Sequence, residues 1–199
     1  MDRKIGQTLT HPVAKKRIAV FSDRDGVINK EVGYLHQTKD LEILPNVSKA
    51  IRLLNQSGIP FIVITNQPVV ARGWLTEDEV REIHQKIQRF LAPRGAKIDN
   101  FLFCPHHPNA DLKKYRVICD CRKPGVALFK KAAVDHSIDL KRSYIVGDTF
   151  RDIEAGKKLG CKTVAVLSGH SDFRDSVPDY KANDLYEAVQ LILNKEGFL

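Results

Sequence analysis

Apolar residues along this chain fall into two patterns that alternate from Ile18 onward: short continuous runs, and runs spaced three and four apart. IAVFSD, PFIVITN, SYIVGD and TVAVL are continuous apolar stretches of strand length, and KIDNFLF reads as a further strand. NVSKAIRLLNQSG, EVREIHQKIQRFLA, GVALFKKAAVDH, DIEAGKKLG and NDLYEAVQLILNK carry apolar residues at helical spacing. Thr76, with Glu79 three residues on, forms a capping-box signature ahead of the second of these helices, and Gly58 closes the first. Strands alternating with helices predict an α/β fold, a Rossmann-like parallel sheet with helices on both faces. Residues 1–16 are polar and aperiodic and read as an N-terminal arm, with 17–199 as one domain.

At 199 residues and 43% hydrophobic content, the chain can fill a core without disulfides. No apolar run approaches a membrane span, and the N-terminal stretch lacks the apolar centre of a secretory signal, so a cytoplasmic protein is expected. The formal charge of +8 concentrates anionic partners without choosing among nucleic acid, membrane and phosphorylated metabolite. Segments such as TEDEVREIHQKIQR look like solvated helix faces, and no Lys/Arg block is interleaved with aromatics. Nucleic-acid binding is therefore a minority reading at this point.

Three apolar strands end in polar residues: Asp23 after IAVFS, Thr65 after FIVI and Asp148 after YIVG. Ligands of open parallel sheets bind beyond the carboxyl ends of the strands, so these residues are candidates to share one crevice. Asp23 and Asp25 flank Arg24, and alternate residues of extended chain project the same way. One carboxylate can attack phosphorus while the other gives a proton to the leaving oxygen and later activates water. Mg2+ held by Asp23 and Asp148, with Asp152 helping to hold the site, would offset repulsion between carboxylate and phosphate. The plainer reading makes DRDG an acidic turn and Asp148 a capping aspartate. Their shared position at strand ends favours a site. Thr65, Asn66 and Lys123 are candidate donors to phosphate oxygens, against a strand-end hydrogen bond for Thr65 and a solvated loop charge for Lys123.

Cys104 and His106 in CPHHP, and Cys119 and Cys121 in CDCRKP, make two close pairs across a loop. Three thiolates and an imidazole suit tetrahedral Zn2+, against unrelated thiols or a disulfide, which a reducing compartment opposes. His107 is the rival to His106. Cys161, before a strand, reads as a core thiol.

The ordered motifs FSDRDGVIN, VITNQ, CRKP and VGDTFRD resemble those of the haloacid dehalogenase superfamily of phosphatases. DRDGVIN, TNQ, ARG, CPHH and CDCRKP resemble its branch containing the heptose 1,7-bisphosphate and histidinol-phosphate phosphatases. The resemblance runs from about Arg17 to Gly160. It implies Asp23 as nucleophile, Asp25 as general acid and base, and Thr65 and Lys123 holding the phosphoryl group. It implies Mg2+ on Asp23, the backbone carbonyl of Asp25 and Asp148, and a zinc loop on Cys104, His106, Cys119 and Cys121. It also implies a capless enzyme whose loops select the substrate. Glu31, Val32, Gly33 and Tyr34 match the loop that contacts the sugar, and Arg122 the residue that recognises a second phosphate. Asn66, Gln67 and Thr149 complete the expected substrate-binding set. Arg72 is open between a phosphate contact and a loop-stabilising role. Pro68, Val69 and Thr149 depart from the Ser-Gly pair and the Lys common in the heptose enzymes. The expected reaction is hydrolysis of the C7 phosphate of a heptose bisphosphate. Alternatives are a histidinol-phosphate phosphatase or another small phosphomonoesterase and, from another class, a basic zinc-bearing nucleic-acid-binding module. The expected partner is a small phosphorylated metabolite, with nucleic acid and membrane disfavoured and a monomer expected.

Overall fold

The computed structural model describes residues 16–199, so the arm expected over 1–16 lies, apart from Lys16, outside the described residues. The elements follow the predicted alternation: β1 Val20–Ser22, α1 Val47–Gln56, β2 Phe61–Asn66, α2 Pro68–Ala71, α3 Glu77–Leu91 and β3 Asn100–Cys104. Then come α4 Ala127–Asp135, β4 Tyr144–Gly147, α5 Phe150–Leu159, β5 Lys162–Val166, β6 Tyr180–Ala182 and α6 Leu185–Lys195. The predicted capping box forms at α3: Thr76 Oγ1 accepts from the Glu79 N–H at 3.2 Å, and Glu79 Oε2 accepts from the Thr76 N–H at 2.7 Å.

The six strands are parallel, in the order β3-β2-β1-β4-β5-β6. Helices cover both faces, which is why the central strands are continuous apolar runs with no polar alternation. Along β1 the side chains divide between the faces. Val20 packs with α1, α3 and α6 through Ile51, Ile83 and Ile192, while Phe21 packs with α4 and α5 through Phe129 and Ala155. The Phe21 and Phe129 rings meet edge-on at 5.4 Å. Truncating Phe21 to Ala would cost about 3–5 kcal/mol and loosen the strand that carries Asp23.

From β1 the strands step outward to β3, and the chain then crosses back to place β4 on the other side of β1. The crevice beyond β1 and β4 is thus the point where strand order reverses. Ser22 is in register with Val63 on one side and Val146 on the other, and the Asp23 N–H donates to the Val146 carbonyl at 3.0 Å. Asp23, Thr65 and Asp148 therefore leave the sheet edge together. The long connections 23–46 and 105–126 contain short 3-10 turns, Thr38–Asp40 and Lys113–Tyr115, and isolated bridges joining Asn29 to Asp25 and Ile43, but no α-helix or strand, so the fold is capless.

Two elements escaped the hydrophobic pattern. β6 is three residues long, too short to show a period, and α2 is a single turn opened by Pro68. Pro68 stands in the first turn of that helix, where a missing N–H costs nothing, and Val69 is buried with Val70 and Val80.

Candidate active site

A cavity of about 310 Å3 opens over the strand-order reversal. Its lining brings together Asp23, Asp25, Glu31, Gly33, Tyr34, Thr65, Asn66, Gln67, Arg122, Lys123, Asp148 and Thr149. Val32, expected among the substrate contacts, is 44% exposed and outside this lining, while its neighbours Glu31, Gly33 and Tyr34 belong to it.

Asp23 and Lys123 form the centre. Lys123 Nζ lies 2.8 Å from Asp23 Oδ2 and 2.7 Å from Asp152 Oδ1, and its side chain is buried, not the solvated loop charge of the plainer reading. Asn66 fastens the Lys123 backbone to the end of β2, donating to its carbonyl at 3.1 Å and accepting from its N–H at 2.9 Å. Burial disfavours the ammonium, yet Asp152 and Asp23 outweigh it and hold the Lys123 pKa above its ordinary value. Burial pushes the Asp23 carboxyl upward against the pull of Lys123.

Asp23, Asp148 and Asp152 have carboxylate oxygens all within 4.8 Å of one another. Asp148 is pushed up to about 8 by burial and by the charges of Asp23 and Asp152. Three crowded carboxylates facing one ammonium form an oxygen-donor set that fits a hard divalent cation. Asp152 is already committed: Lys123 takes Oδ1, and the Thr149 hydroxyl donates to Oδ2 at 2.9 Å. Thr149 is thus a helix cap at the head of α5 as well as a cavity residue. The Asp148 carboxylate packs against Gly26 and Gly169, where any Cβ would overlap it, and Gly26 also needs its φ of +77°.

Asp25 lines the cavity, but its oxygens are taken on the other side. Arg24 Nη2 donates to both oxygens at 2.8 Å, Asn29 Nδ2 to Oδ1 and Gln67 Nε2 to Oδ2, both at 2.9 Å. Burial raises the carboxyl, and the Arg24 charge with these donors more than reverses it, so its pKa falls below the ordinary value. Gln67 Nε2 also donates to Thr65 Oγ1 at 3.0 Å, tying the two polar strand ends together.

At the cavity mouth, Arg122 Nη1 donates to the His106 carbonyl at 3.2 Å. Arg151 and His170 join the lining, and sequence reasoning missed both. The signal for Arg151 was its place three residues beyond Asp148 at the start of α5. His170 had none, since its loop is aperiodic; its N–H donates to Asp148 Oδ2 at 2.8 Å, and its ring lies 3.5 Å from Glu31. Among the described residues neither Arg122 nor Arg151 forms an ion pair. Arg72 lies outside the cavity, where it donates to the Tyr34 hydroxyl at 3.2 Å and stacks over the Tyr34 and Trp74 rings, so it braces the loop.

The second expected centre is also assembled. Cys104 Sγ lies 3.6 Å from Cys119 Sγ and 3.0 Å from Cys121 Sγ, and His106 Nδ1 lies 3.2 Å from Cys121 Sγ. The four cysteines are free of disulfides, and this soft donor set could hold a metal ion. His107 is outside the cluster, its Nδ1 accepting from the Asn109 N–H at 3.1 Å.

Comparison with known proteins agrees with this geometry. The HAD-hydrolase-like family model matches residues 120–188. A D-glycero-beta-D-manno-heptose-1,7-bisphosphate 7-phosphatase from Rhodopseudomonas palustris is 43% identical over 147 residues, covering 74% of this chain and 82% of that protein. A D-glycero-D-manno-heptose-1,7-bisphosphate 7-phosphatase from Thermosynechococcus vestitus is 38% identical over 187 residues, covering 88% of this chain and 95% of that protein. A solved structure of D,D-heptose 1,7-bisphosphate phosphatase from B. bronchiseptica, complexed with magnesium and phosphate, superposes with a TM-score of 0.79 at 28% identity. It covers 90% of this chain and 99% of that one. With its aspartates at the strand-order reversal and relatives matched over most of their length, this chain belongs to the haloacid dehalogenase-like phosphatases.

Proposed function

We propose that this phosphatase removes the C7 phosphate of D-glycero-D-manno-heptose 1,7-bisphosphate, with Asp23 as nucleophile. The observation that carries the reading is the contact of Asp23 with buried Lys123 at the floor of a cavity whose mouth carries Arg122 and Arg151 without acidic partners. One phosphate needs a cation at the reacting end, and a second phosphate needs cations several ångströms away. This cavity offers both.

Asp23 attacks phosphorus, the bond from phosphorus to the sugar oxygen breaks, and Asp25 gives that oxygen its proton. Water then attacks the aspartyl phosphate while Asp25 takes a proton back, releasing phosphate and regenerating the Asp23 carboxylate. The charge of an arriving phosphate opposes the depression of the Asp25 pKa and favours its protonation. Lys123 and Thr65 hold non-bridging oxygens. Asp23, Asp148 and the Asp25 carbonyl would hold Mg2+, which when bound lessens repulsion between carboxylate and phosphate. Zn2+ on Cys104, His106, Cys119 and Cys121 would fix the loop that presents Arg122 and Lys123. Glu31, Gly33 and Tyr34, with Asn66, Gln67 and Thr149, shape the sugar side, and Arg122 with Arg151 takes the distal phosphate.

The working unit proposed is a monomer. The thiol cluster suits the reducing cytoplasm. Among the described residues no helix is long and apolar enough to cross a membrane.

The deciding experiment measures phosphate release, with Mg2+, from the heptose bisphosphate, histidinol phosphate and a 5′-phosphorylated oligonucleotide. A preference of about tenfold or more for the bisphosphate, with the C1 phosphate retained, is expected. The ammonium group of histidinol is a poor match for Arg122 and Arg151. Preference for histidinol phosphate, or for the oligonucleotide, would overturn the substrate assignment.

A further inference from the structure

Arg24 heads the largest fully buried side chains of the described residues. A guanidinium offers five N–H donors and accepts nothing, so in a dry site each nitrogen needs an acceptor. Nε and Nη2 reach the Asp25 carboxylate, and Nη2 also reaches Gln67 Oε1 at 3.0 Å. Nη1 reaches His84 Nε2 at 3.4 Å. Because arginine only donates, Nε2 is the bare nitrogen of that ring and the ring proton sits on Nδ1.

His84 is held firmly. It lies on α3, 4% exposed, with its ring stacked on Phe101 at 4.6 Å and 13° and set edge-on to Phe103 at 5.7 Å. It does not line the active-site cavity. A planar guanidinium moves as one unit, so the acceptor on Nη1 also fixes where Nε and Nη2 point. Without it, the guanidinium is held only through Nε and Nη2, by Asp25 and Gln67, and is free to turn against the carboxylate it grips.

We infer that His84 is a positioning residue that aims the Asp25 carboxyl at the leaving oxygen through Arg24. This rests on the acid and base role given to Asp25 under Proposed function. His84 touches neither substrate nor Asp25, and acts by holding the far end of the guanidinium that grips it.

The test compares kcat/KM on p-nitrophenyl phosphate and on mannose 6-phosphate, using metal-loaded enzyme. This constant extends only to the departure of the leaving group. p-Nitrophenolate departs without a proton, whereas a sugar alkoxide needs one. His84→Phe keeps an aromatic ring on Phe101 and removes the acceptor, while His84→Gln keeps an acceptor. The expected result is that His84→Phe loses about tenfold to a hundredfold on mannose 6-phosphate and less than about threefold on p-nitrophenyl phosphate. His84→Gln should recover most of the loss. A role confined to stability would lower both substrates alike, so equal losses, no loss, or a His84→Gln variant as impaired as His84→Phe would overturn the inference. If His84→Phe does not fold, His84→Leu carries the same comparison. Asp25→Asn separates the two layers. If it shows no selective loss on the alkyl phosphate, the role of Asp25 fails. If it does while His84→Phe does not, the relay through His84 alone fails.

Discussion

Lys123 donates to Asp152 at 2.7 Å with both side chains almost wholly buried, and this pair stands behind the Asp23 carboxylate. Removing one member of a buried ion pair leaves an uncompensated charge, which typically costs about 3–5 kcal/mol. Lys123→Met would leave Asp23, Asp148 and Asp152 facing one another with no ammonium between them. The expected outcome is a loss of that size in urea unfolding without divalent metal, part of it restored by Mg2+. A variant as stable as the parent would mean that the buried Lys123–Asp152 pair adds nothing to stability.

Asp23 presents the reverse case. Its carboxyl is raised by burial and by Asp152 and Asp25 despite the contact with Lys123, so the fold disfavours its negative charge. Asp23→Asn keeps the shape and removes the charge. Turnover should vanish while the thermal midpoint of the metal-free protein rises by a few degrees, the trade between activity and stability common at catalytic centres. Residual turnover near the parent level would dismiss Asp23 as nucleophile. A lowered midpoint would dismiss the strain.

The sequence made the strand ends legible because they rest on strong local rules. Buried parallel strands are continuous apolar runs, and ligands gather where they end, so Asp23, Thr65 and Asp148 stood out. The cysteine and histidine loop was legible from spacing. What stayed hidden depends on contacts between distant segments. Arg24 reads as a charge beside two aspartates, yet it is wholly buried against His84, sixty residues further along. His170 comes from a loop without period, and β6 is too short to show one. Asp25 was legible as a residue but not in its surroundings. Alternation along a strand does not apply to it, since β1 ends at Ser22 and the chain turns at Arg24, and its partners Asn29 and Gln67 come from that turn and from the residue that follows β2.

The thiol cluster yields a prediction about metal content. Cys119 Sγ is 3.0 Å from Cys121 Sγ, close enough for both to face one ion. Cys119→Ser should lower zinc, measured by elemental analysis, from about one ion per chain toward none. The loop that ends in Arg122 and Lys123 would then lose its anchor, so KM for a bisphosphorylated sugar should rise as stability falls. Unchanged zinc would remove Cys119 from the ligand set.

His84 also gives the protein a pH signature. Its pKa is drawn from an ordinary 6.5 down to about 3 by burial first and by the Arg24 charge second, with Asp25 opposing. Between those values the unfolded chain takes up a proton that the folded chain refuses. The unfolded state binds more protons there, so stability rises with pH and is lost as the solution is acidified from 6.5 toward 3. One such group contributes a slope of up to about 1.4 kcal/mol per pH unit. Asp148 has the opposite sign, since its folded pKa of about 8 lies above the ordinary 3.8 and the folded chain holds the extra proton. That contribution is shared by parent and His84→Gln, so it cancels in their difference. Urea unfolding of the two proteins from about pH 7.5 to 4.5 should give curves that run parallel above 6.5. Below it the parent should lose stability relative to the variant, by about 3 kcal/mol at the acid end. A difference independent of pH would show that His84 takes its proton as readily in the folded protein as in the unfolded chain, which a ring buried against Arg24 should not do.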